Sequence, residues 1–208
     1  MKTEYADDLT LADARALYFE TNDFGADGGY GDAWVEFELG PIKMPFPNTP
    51  GRVRAVKFHD LHHILTGYET NPVGEFEIAG WELGAGARKM PAAARVINAS
   101  GFFTGLISSP RKVVAAFLRG RRSRSLYPED FEPLLRETVA EARARYLDVR
   151  SEGRPWADAL AMAGWILAGS LAFPLFLVLT LPLAPVGMLL LWLRKARQER
   201  AAAPAPSR

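Results

Sequence analysis

Apolar residues recur at helical spacing through the first 155 positions. The pattern predicts one helix over residues 9–19, with Thr10 suited to cap it, and another from Pro50, where Thr49 can cap and Gly67 ends the apolar stripe. Asn71 as cap and Pro72 at the first helical position then predict a helix over residues 71–90. Two helices joined by so short a loop are expected to lie side by side.

Other segments complete a mainly α fold. Residues 110–118 form an amphipathic pattern, and residues 128–150 place acids early and arginines late, as a helix dipole favours. Residues 33–39 allow one short strand, with Val35, Phe37 and Leu39 on one face. The Gly-rich residues 25–31 predict a loop, and the prolines of residues 40–52 predict an extended connection. We therefore expect a helical domain with little or no β structure.

The C-terminal quarter has a different pattern, with no charged residue in the 35 positions from Ala159 to Leu193. As one straight helix this run would extend about 52 Å, which exceeds a hydrocarbon core of about 30 Å. Pro174, Pro182 and Pro185 offer places to break it. A buried helix pair is the alternative, but apolarity on every helical face is typical of contact with lipid, so we expect a membrane segment.

Basic residues flank this run on both sides and favour a cytoplasmic location for both ends. A short helical hairpin that turns near residues 180–185 fits the available length, and a single tilted span is the alternative. The expected organisation is a helical domain over residues 1–155, a membrane segment over 156–200 and a disordered tail over 201–208.

Composition excludes several classes of protein. The 208 residues include no cysteine, which removes thiol nucleophiles, thiolate zinc sites and disulfides. The net charge of +1 gives no sign of a nucleic-acid partner. The basic run at residues 119–124 is expected either to contact anionic lipid head groups or to form a solvated loop. The acidic N-terminus shows neither a secretory signal nor a transit peptide.

The three histidines all fall within residues 59–63. His59 and His63 are four residues apart, so their imidazoles project from one helical face and can bind one ion. Glu75, at the start of the next helix, can point back at that face as a carboxylate ligand. Two histidines and a carboxylate leave coordination positions open, as in catalytic sites. His62 is expected to support a ligand or to lie on the surface.

The segment reads H-D-x-x-H, eleven residues and then E, and it includes Leu65-Thr66-Gly67-Tyr68 and Gly74-Glu75. It resembles the hallmark of the coenzyme Q biosynthesis family called Coq-four, over residues 10–150 and most strongly over residues 54–80. The resemblance implies a helical fold and a divalent metal, usually taken to be Zn²⁺, with Fe²⁺ as the alternative. It assigns the metal site to His59, Asp60, His63 and Glu75, with Asp60 either a ligand or a catalytic base.

The resemblance also implies a role in ubiquinone biosynthesis at a membrane. Members are regarded as metal-dependent agents of oxidative decarboxylation at ring carbon C1 of a polyprenylated hydroxybenzoate, or as organisers of the biosynthetic complex. The missing presequence and the apolar C-terminus predict a bacterial member in the cytoplasmic membrane, with its soluble domain facing the cytoplasm. Expected partners are an isoprenoid lipid, the membrane, and other quinone-biosynthesis proteins or a second copy.

Three hypotheses follow. The chain is a metal-dependent decarboxylase or oxidoreductase of quinone ring modification, a paralogue for another isoprenoid lipid being a variant of this hypothesis. Alternatively, it is a non-catalytic lipid-binding organiser with a structural metal. In the third hypothesis it is a helical membrane protein in which the histidine cluster is incidental.

Overall fold

A computed structural model describes residues 4–39, 42–150 and 154–183 and positions 185, 186, 188, 189, 192 and 193, with side chains described outside residues 36–46. Within this part of the chain the protein is mainly helical, as the sequence predicts. The elements are α1 (Leu11–Thr21), β1 (Trp34–Leu39), β2 (Ile42–Pro47), α2 (Pro50–Thr66), α3 (Pro72–Ala85), α4 (Ala92–Ser108), α5 (Pro110–Arg122), α6 (Phe131–Leu134), α7 (Val139–Tyr146) and α8 (Pro155–Thr180), followed by a 3₁₀ turn (Leu181–Leu183).

The predicted helix caps are confirmed. The side chains of Thr10, Thr49 and Asn71 each accept a hydrogen bond from the backbone N–H three residues on, which satisfies a donor that the first turn leaves free. Gly67 ends α2 in the left-handed conformation at φ 73°. Because glycine has no Cβ, it adopts this angle without steric cost and turns the chain directly into the short loop before α3.

Three segments differ from the sequence-based expectation. The helix after Asn71 ends at Ala85 instead of Met90, because the sequence there turns to glycine. The single helix expected over residues 128–150 is divided into α6 and α7, since Thr138 forms a capping box with Glu141 and starts a new helix. The extended residues after the first strand pair with it, so that β1 and β2 form an antiparallel hairpin.

One buried cluster joins α1, α2 and α7. Its members come from both ends of the domain, and they include Leu11, Tyr18, Leu61, Ile64 and Val139. The C-terminal end of α2 is also fixed by polar contacts, because Arg143 donates to the carbonyls of Ile64 and Leu65 and Arg119 donates to that of Thr66. Basic groups at a helix C-terminus satisfy free carbonyls and complement the dipole. The last turn of α2 is therefore held in place from two sides.

Helix α3 packs closely against α5 and also contacts α4. Glycines allow this approach, since a methyl group on Gly120 of α5 would collide with the carbonyl oxygen of Trp81, and one on Gly84 would collide with that of Phe117. Leu83, Phe102, Val113 and Phe117 are buried between these helices. The backbones of α3 and α5 therefore lie almost in contact, which fixes α3 and the carboxylates it carries.

Helix α8 lies against α4 and leaves most of its own surface exposed. Gly169 admits the backbone of Ala99, and the rings of Phe103 and Phe173 lie 6.2 Å apart. Helix α8 is long and apolar enough to cross a membrane, yet only 11% of its most apolar window is buried inside the protein. This low burial disagrees with the alternative of a buried core helix, which would be covered on most sides.

The described part of α8 bears on the predicted membrane topology. The helix continues through Pro174, where a break was possible, and ends at Thr180 before the 3₁₀ turn. Proline is tolerated in apolar helices of this kind because neighbouring groups satisfy the freed carbonyl. The regular α-helix thus ends near the expected residues 180–185. Most of the second limb of the predicted hairpin and the predicted disordered tail lie outside the described residues.

The close α3–α5 contact generates a stability prediction. We expect Gly120→Ala to lower the melting temperature by about 2–12 °C, because overpacking costs about 1–3 kcal/mol and each kcal/mol shifts a chain of this size by about 2–4 °C. Gly51→Ala is the control, since a Cβ at residue 51 in α2 meets nothing within 4 Å. Thermal unfolding followed by circular dichroism measures both. Equal melting temperatures for the two variants would contradict the packing argument.

Candidate metal centre

The α2–loop–α3 unit brings His59, His63 and Glu75 together, as the sequence predicts. The Nε2 atoms of His59 and His63 lie 3.1 Å apart. Glu75 reaches both imidazoles, with 3.3 Å from Oε2 to His59 Nε2 and 3.4 Å from Oε1 to His63 Nε2. Among the described residues, these three form a group whose ligand atoms lie within 4.8 Å of one another and could hold a metal ion.

The hydrogen bonds made by the Nδ1 atoms of His59 and His63 fix the tautomers of both rings. His63 Nδ1 lies 2.9 Å from the carbonyl oxygen of Tyr68, which only accepts hydrogen bonds, so Nδ1 carries the proton. His59 Nδ1 lies 3.1 Å from Glu82 Oε1 and likewise donates to it. In the neutral rings both Nε2 atoms therefore present lone pairs, side by side and next to the Glu75 carboxylate. Three acceptors so close together repel one another unless a cation or a proton lies between them.

The spacing of the three donor atoms fits a small divalent ion. Metal–ligand distances of about 2.0–2.1 Å in a tetrahedral zinc site place neighbouring ligand atoms about 3.3 Å apart. The three separations in the protein are 3.1, 3.3 and 3.4 Å. The donor set therefore has the right chemistry and the right spacing for such an ion. With three protein ligands, coordination positions remain open for water or substrate.

Glu82 organises the buried side of this centre. Its side chain is fully buried, yet its carboxylate accepts hydrogen bonds from His59 Nδ1, His62 Nδ1 at 2.7 Å, Tyr127 Oη at 3.1 Å and Asn98 Nδ2. A buried charge is costly unless it is hydrogen-bonded, and here four donors surround it. A carboxylate that receives the outer N–H of a histidine orients the ring and increases its basicity towards a metal.

His62 supports the centre and does not bind at it. Leu126 donates its backbone N–H to His62 Nε2 at 3.0 Å, so the ring carries its proton on Nδ1 and donates that proton to Glu82. The ring is completely buried and contacts the rings of Trp81 and Tyr127. Of the two alternatives predicted for His62, the supporting role fits the structure, because a buried side chain cannot be a surface residue.

The electrostatics of the cluster favour a cation. Burial lowers the pKa of His59, but the charges and hydrogen bonds of Glu82 and Glu75 outweigh it and raise this pKa well above its ordinary value. Burial raises the pKa of Glu75, but His63 and His59 outweigh it and lower the pKa to about 2. Burial also raises the pKa of Glu82, but the charges and hydrogen bonds of His59 and His62 outweigh it and keep this pKa below its usual range. Both carboxylates are therefore ionised at neutral pH.

Asp60, the fourth residue that the resemblance assigns, lies near the cluster but has different contacts. Its carboxylate accepts a 2.6 Å hydrogen bond from Tyr30 Oη, and its side chain is buried. Burial raises the pKa of Asp60, and the Tyr30 hydrogen bond partly opposes this change. Asp60 is not in the group of three whose donor atoms lie within 4.8 Å. Its role as a ligand or a base stays a prediction.

A cavity of about 230 Å³ is lined in part by His63, whereas His59 and Glu75 are not among its lining residues. Its lining is rich in hydroxyl groups and comes from α1, from the N-terminal segment and from the loop between α2 and α3: Tyr5, Tyr18, Asn22, Tyr68 and Thr70 take part. Tyr5 Oη is buried and has no hydrogen-bond partner among the described residues. Glu75, whose side chain is 42% exposed, leaves the cluster accessible from outside.

Sequence reasoning missed Glu82, Asn98 and Tyr127. A signal for Glu82 was present, because it is the one charged residue between Glu77 and Arg88 in an otherwise apolar and glycine-rich helix, and it lies two turns after Glu75. Asn98 and Tyr127 come from α4 and from the segment after α5. Their approach depends on tertiary packing that no local pattern predicts.

The fold and the site define a mainly helical protein that has a two-histidine, one-glutamate group that could hold a metal ion and, separately, a helix that could span a membrane. Comparisons with protein-family models, with curated proteins and with solved structures give no match for this chain. The assignment to the Coq-four family therefore depends on the motif residues themselves, and it stays a prediction.

The position of Glu82 predicts its effect on metal binding. We expect Glu82→Gln to weaken Zn²⁺ binding about 10–100-fold, because the variant no longer orients His59 with a charged acceptor. Glu77→Gln, on the same helix but outside the cluster, is the matched control and should bind as the wild type does. Competition with a chromophoric chelator measures the affinity, and circular dichroism checks that the helices remain. An unchanged affinity would show that Glu82 does not support the centre.

The contacts of Asp60 predict that its carboxylate is not needed to bind the metal. We expect Asp60→Asn to retain the bound metal, since its carboxylate lies outside the three-donor group and an asparagine still accepts from Tyr30. Glu75→Gln should lose most of the metal. Elemental analysis after gentle purification measures the metal-to-protein ratio of both variants. Loss of metal from Asp60→Asn to the same degree as from Glu75→Gln would instead make Asp60 a ligand.

Proposed function

We propose that the protein is a metal-dependent enzyme of ubiquinone biosynthesis that removes the C1 carboxyl group of a polyprenylated hydroxybenzoate at the bacterial cytoplasmic membrane. The observation that carries the proposal is the convergence of His59 Nε2, His63 Nε2 and Glu75, each within 3.4 Å of the others. The motif resemblance to the Coq-four family supplies the reaction and the substrate. Zn²⁺ is the proposed ion, and Fe²⁺ is the alternative.

The number of protein ligands favours a catalytic role over a purely structural one. Structural zinc sites are closed by four protein ligands, whereas catalytic sites have three and an open position. Here three donors converge, and the Glu75 side chain is partly exposed. The buried network around Glu82 holds His59 in one orientation, as a reactive centre requires. A protein that only organises other enzymes would not need an open position.

The cavity next to His63 is suited to a substituted aromatic ring. Its volume of about 230 Å³ is below the usual range of ligand pockets, so it accommodates a ring and not a long isoprenoid tail. Tyr18 lies against His63 with its ring centroid 6.0 Å away and nearly parallel, which leaves an aromatic wall beside the centre. The buried hydroxyl of Tyr5 is a donor that a phenolate or carboxylate oxygen can use.

The proposed location follows from the substrate and from α8. A precursor with a long isoprenoid tail stays in the bilayer, so the enzyme must act at the membrane surface. Helix α8 exposes large apolar side chains along its length, including Leu167, Leu171 and Val178. These side chains would contact lipid in a spanning helix. Anchoring by α8 would hold the metal centre close to the ring of a membrane-bound substrate.

The chemistry assigns separate tasks to the residues. A divalent ion bound by the three donors would supply a Lewis acid that stabilises negative charge on the ring oxygens as carbon dioxide leaves. His59 and His63 hold their lone pairs towards that position, and the Tyr5 hydroxyl donates to a substrate oxygen. In the oxidative form the C1 carboxyl group leaves as carbon dioxide, a water molecule supplies the hydroxyl group that replaces it, and two electrons and two protons pass to a two-electron oxidant from outside the chain. Asp60 is the proposed base.

Complementation tests the proposal. In a bacterial strain that lacks the C1-decarboxylation step, we expect the wild-type chain to restore ubiquinone and His63→Ala to abolish it, because the variant loses one of three metal ligands. Mass spectrometry of lipid extracts measures the quinone, and immunoblotting checks the protein level. Glu77→Gln is the control, and it should restore ubiquinone fully.

Purified protein separates catalysis from an organising role. The wild-type chain in mild detergent should release carbon dioxide from the C1-carboxylated, prenylated precursor when an oxidant is supplied. Complementation that depends on His63 without any turnover in vitro would support a metal-containing organiser instead. Full complementation by His63→Ala would contradict the proposal, and it would make the histidine cluster incidental. Failure of the wild type to complement would point to another isoprenoid lipid.

A further inference from the structure

A second cavity lies near the C-terminal end of α3, whereas Glu75 of the metal-ligand cluster lies in the first turn of that helix. The cavity volume is about 450 Å³, within the range of about 300–1,000 Å³ typical of ligand pockets. The last residues of α3 and the loop after it form one wall, and the segment that follows α5 forms another. Trp165 of α8 completes the lining. Nothing in the proposed decarboxylation uses this cavity, which we call the arginine cavity.

Positive charge dominates the lining of the arginine cavity. Arg88, Arg121, Arg124 and Arg150 take part, with Glu129 as the acid among the described lining residues. Arg121 is neutralised by Asp158 of α8, since Nε and Oδ1 are 2.7 Å apart. The other three arginines have no carboxylate within ion-pair distance among the residues that the structure describes. All three are exposed residues, so their charges are open to a ligand from solvent or from a membrane surface, and an anion bound between them would be attracted by each.

The sequence positions of these arginines show that the fold assembles the cavity. Residues 88, 124 and 150 are far apart along the chain, and only Arg124 belongs to the basic run at residues 119–124. The other arginines of that run have structural partners: Arg119 binds the α2 terminus and Asp148, and Arg122 also contacts Asp148. The cavity therefore differs from a continuous basic loop, in which charge would be distributed along a solvated surface.

Where α8 crosses a membrane, as proposed, its contact with the arginine cavity would put that cavity at the level of the head groups. Asp158, in an ion pair, marks a part of α8 that stays outside hydrocarbon. Trp165 lies two turns further on, about 15 Å along the helix from Pro155. Tryptophan is enriched at the boundary between hydrocarbon and head groups. A cavity lined by Trp165 on one side and by arginines on the others can therefore reach a head group from the bilayer surface.

We propose that the arginine cavity binds the phosphate of an anionic membrane lipid head group through Arg88, Arg124 and Arg150. Guanidinium groups suit this ligand because their planar donors match phosphate oxygens in pairs. The head group would enter beside Trp165, and the acyl chains would remain along the exposed face of α8. The bound lipid would hold the domain against the membrane in one orientation. The inference rests on the proposed membrane association but not on the proposed decarboxylation.

Titration with short-chain lipids tests the cavity directly. The full chain in mild non-ionic detergent is titrated with dihexanoyl phosphatidylglycerol, dihexanoyl phosphatidylcholine and inorganic phosphate at physiological salt. We expect phosphatidylglycerol to bind in a saturable manner and more tightly than the other two. The R88Q/R124Q/R150Q variant should bind it at least about tenfold more weakly, since each basic residue near a membrane surface contributes appreciably to binding anionic lipid.

A charge-matched variant separates a built site from general attraction. R54Q/R95Q/R136Q removes three exposed arginines elsewhere on the domain, and it should keep the affinity for phosphatidylglycerol within about twofold of the wild type. Equal losses in the two variants would overturn the proposal, because net charge alone would then explain binding. Inorganic phosphate that binds as tightly as phosphatidylglycerol would also overturn it in favour of a free-phosphate site.

Vesicle flotation distinguishes failure of this inference from failure of the proposed function. Wild type and both variants should float equally with phosphatidylcholine vesicles, because α8 carries that attachment. Only R88Q/R124Q/R150Q should lose the added retention on vesicles that contain phosphatidylglycerol. A wild-type chain that does not float at all would contradict the membrane part of the proposed function, while the titration would still decide whether the cavity binds the lipid head group.

Discussion

The site depends on the hydrogen bonds that the buried carboxylate of Glu82 accepts. This carboxylate lies in the interior without exposure and is stabilised by donors from three separate parts of the chain: two histidines of α2, Asn98 of α4 and Tyr127 of the segment after α5. Removing any one of them leaves a buried charge less well satisfied, which is costly. The network therefore joins α2, α3 and α4 at one point, and it fixes the ring that presents His59 Nε2.

The local parts of the site could be predicted because each depends on short-range chemistry. Thr49, Gly67 and Asn71 set where α2 begins and ends and where α3 begins, and the four-residue spacing of His59 and His63 places both rings on one face. Those constraints were enough to bring Glu75 to the histidines. The role of Glu82 was not predicted, because it depends on hydrogen-bond donors that only tertiary packing brings to this glutamate.

The division of residues 128–150 into α6 and α7 also depends on contacts that are distant in sequence. Charge order predicted one helix, but the pairing of Thr10 with Thr138 and the capping box at Thr138 interrupt it. Long-range backbone contacts override a local preference that amounts to tenths of a kcal/mol per residue. The arginine cavity is a further case, because its arginines are dispersed along the chain and become neighbours only when α3, α5 and α8 pack together.

Helix α4 links the candidate metal centre to α8. Asn98 donates to Glu82, while the next residue, Ala99, contacts Gly169 of α8 through its backbone. The ring of Phe103, about one turn later, lies near that of Phe173. A movement of α8 relative to the domain must therefore displace α4 or open a gap in a contact too close for any side chain at residue 169. Because interiors are close-packed, a displacement of α4 at Ala99 would also move the donor that the neighbouring Asn98 offers to Glu82.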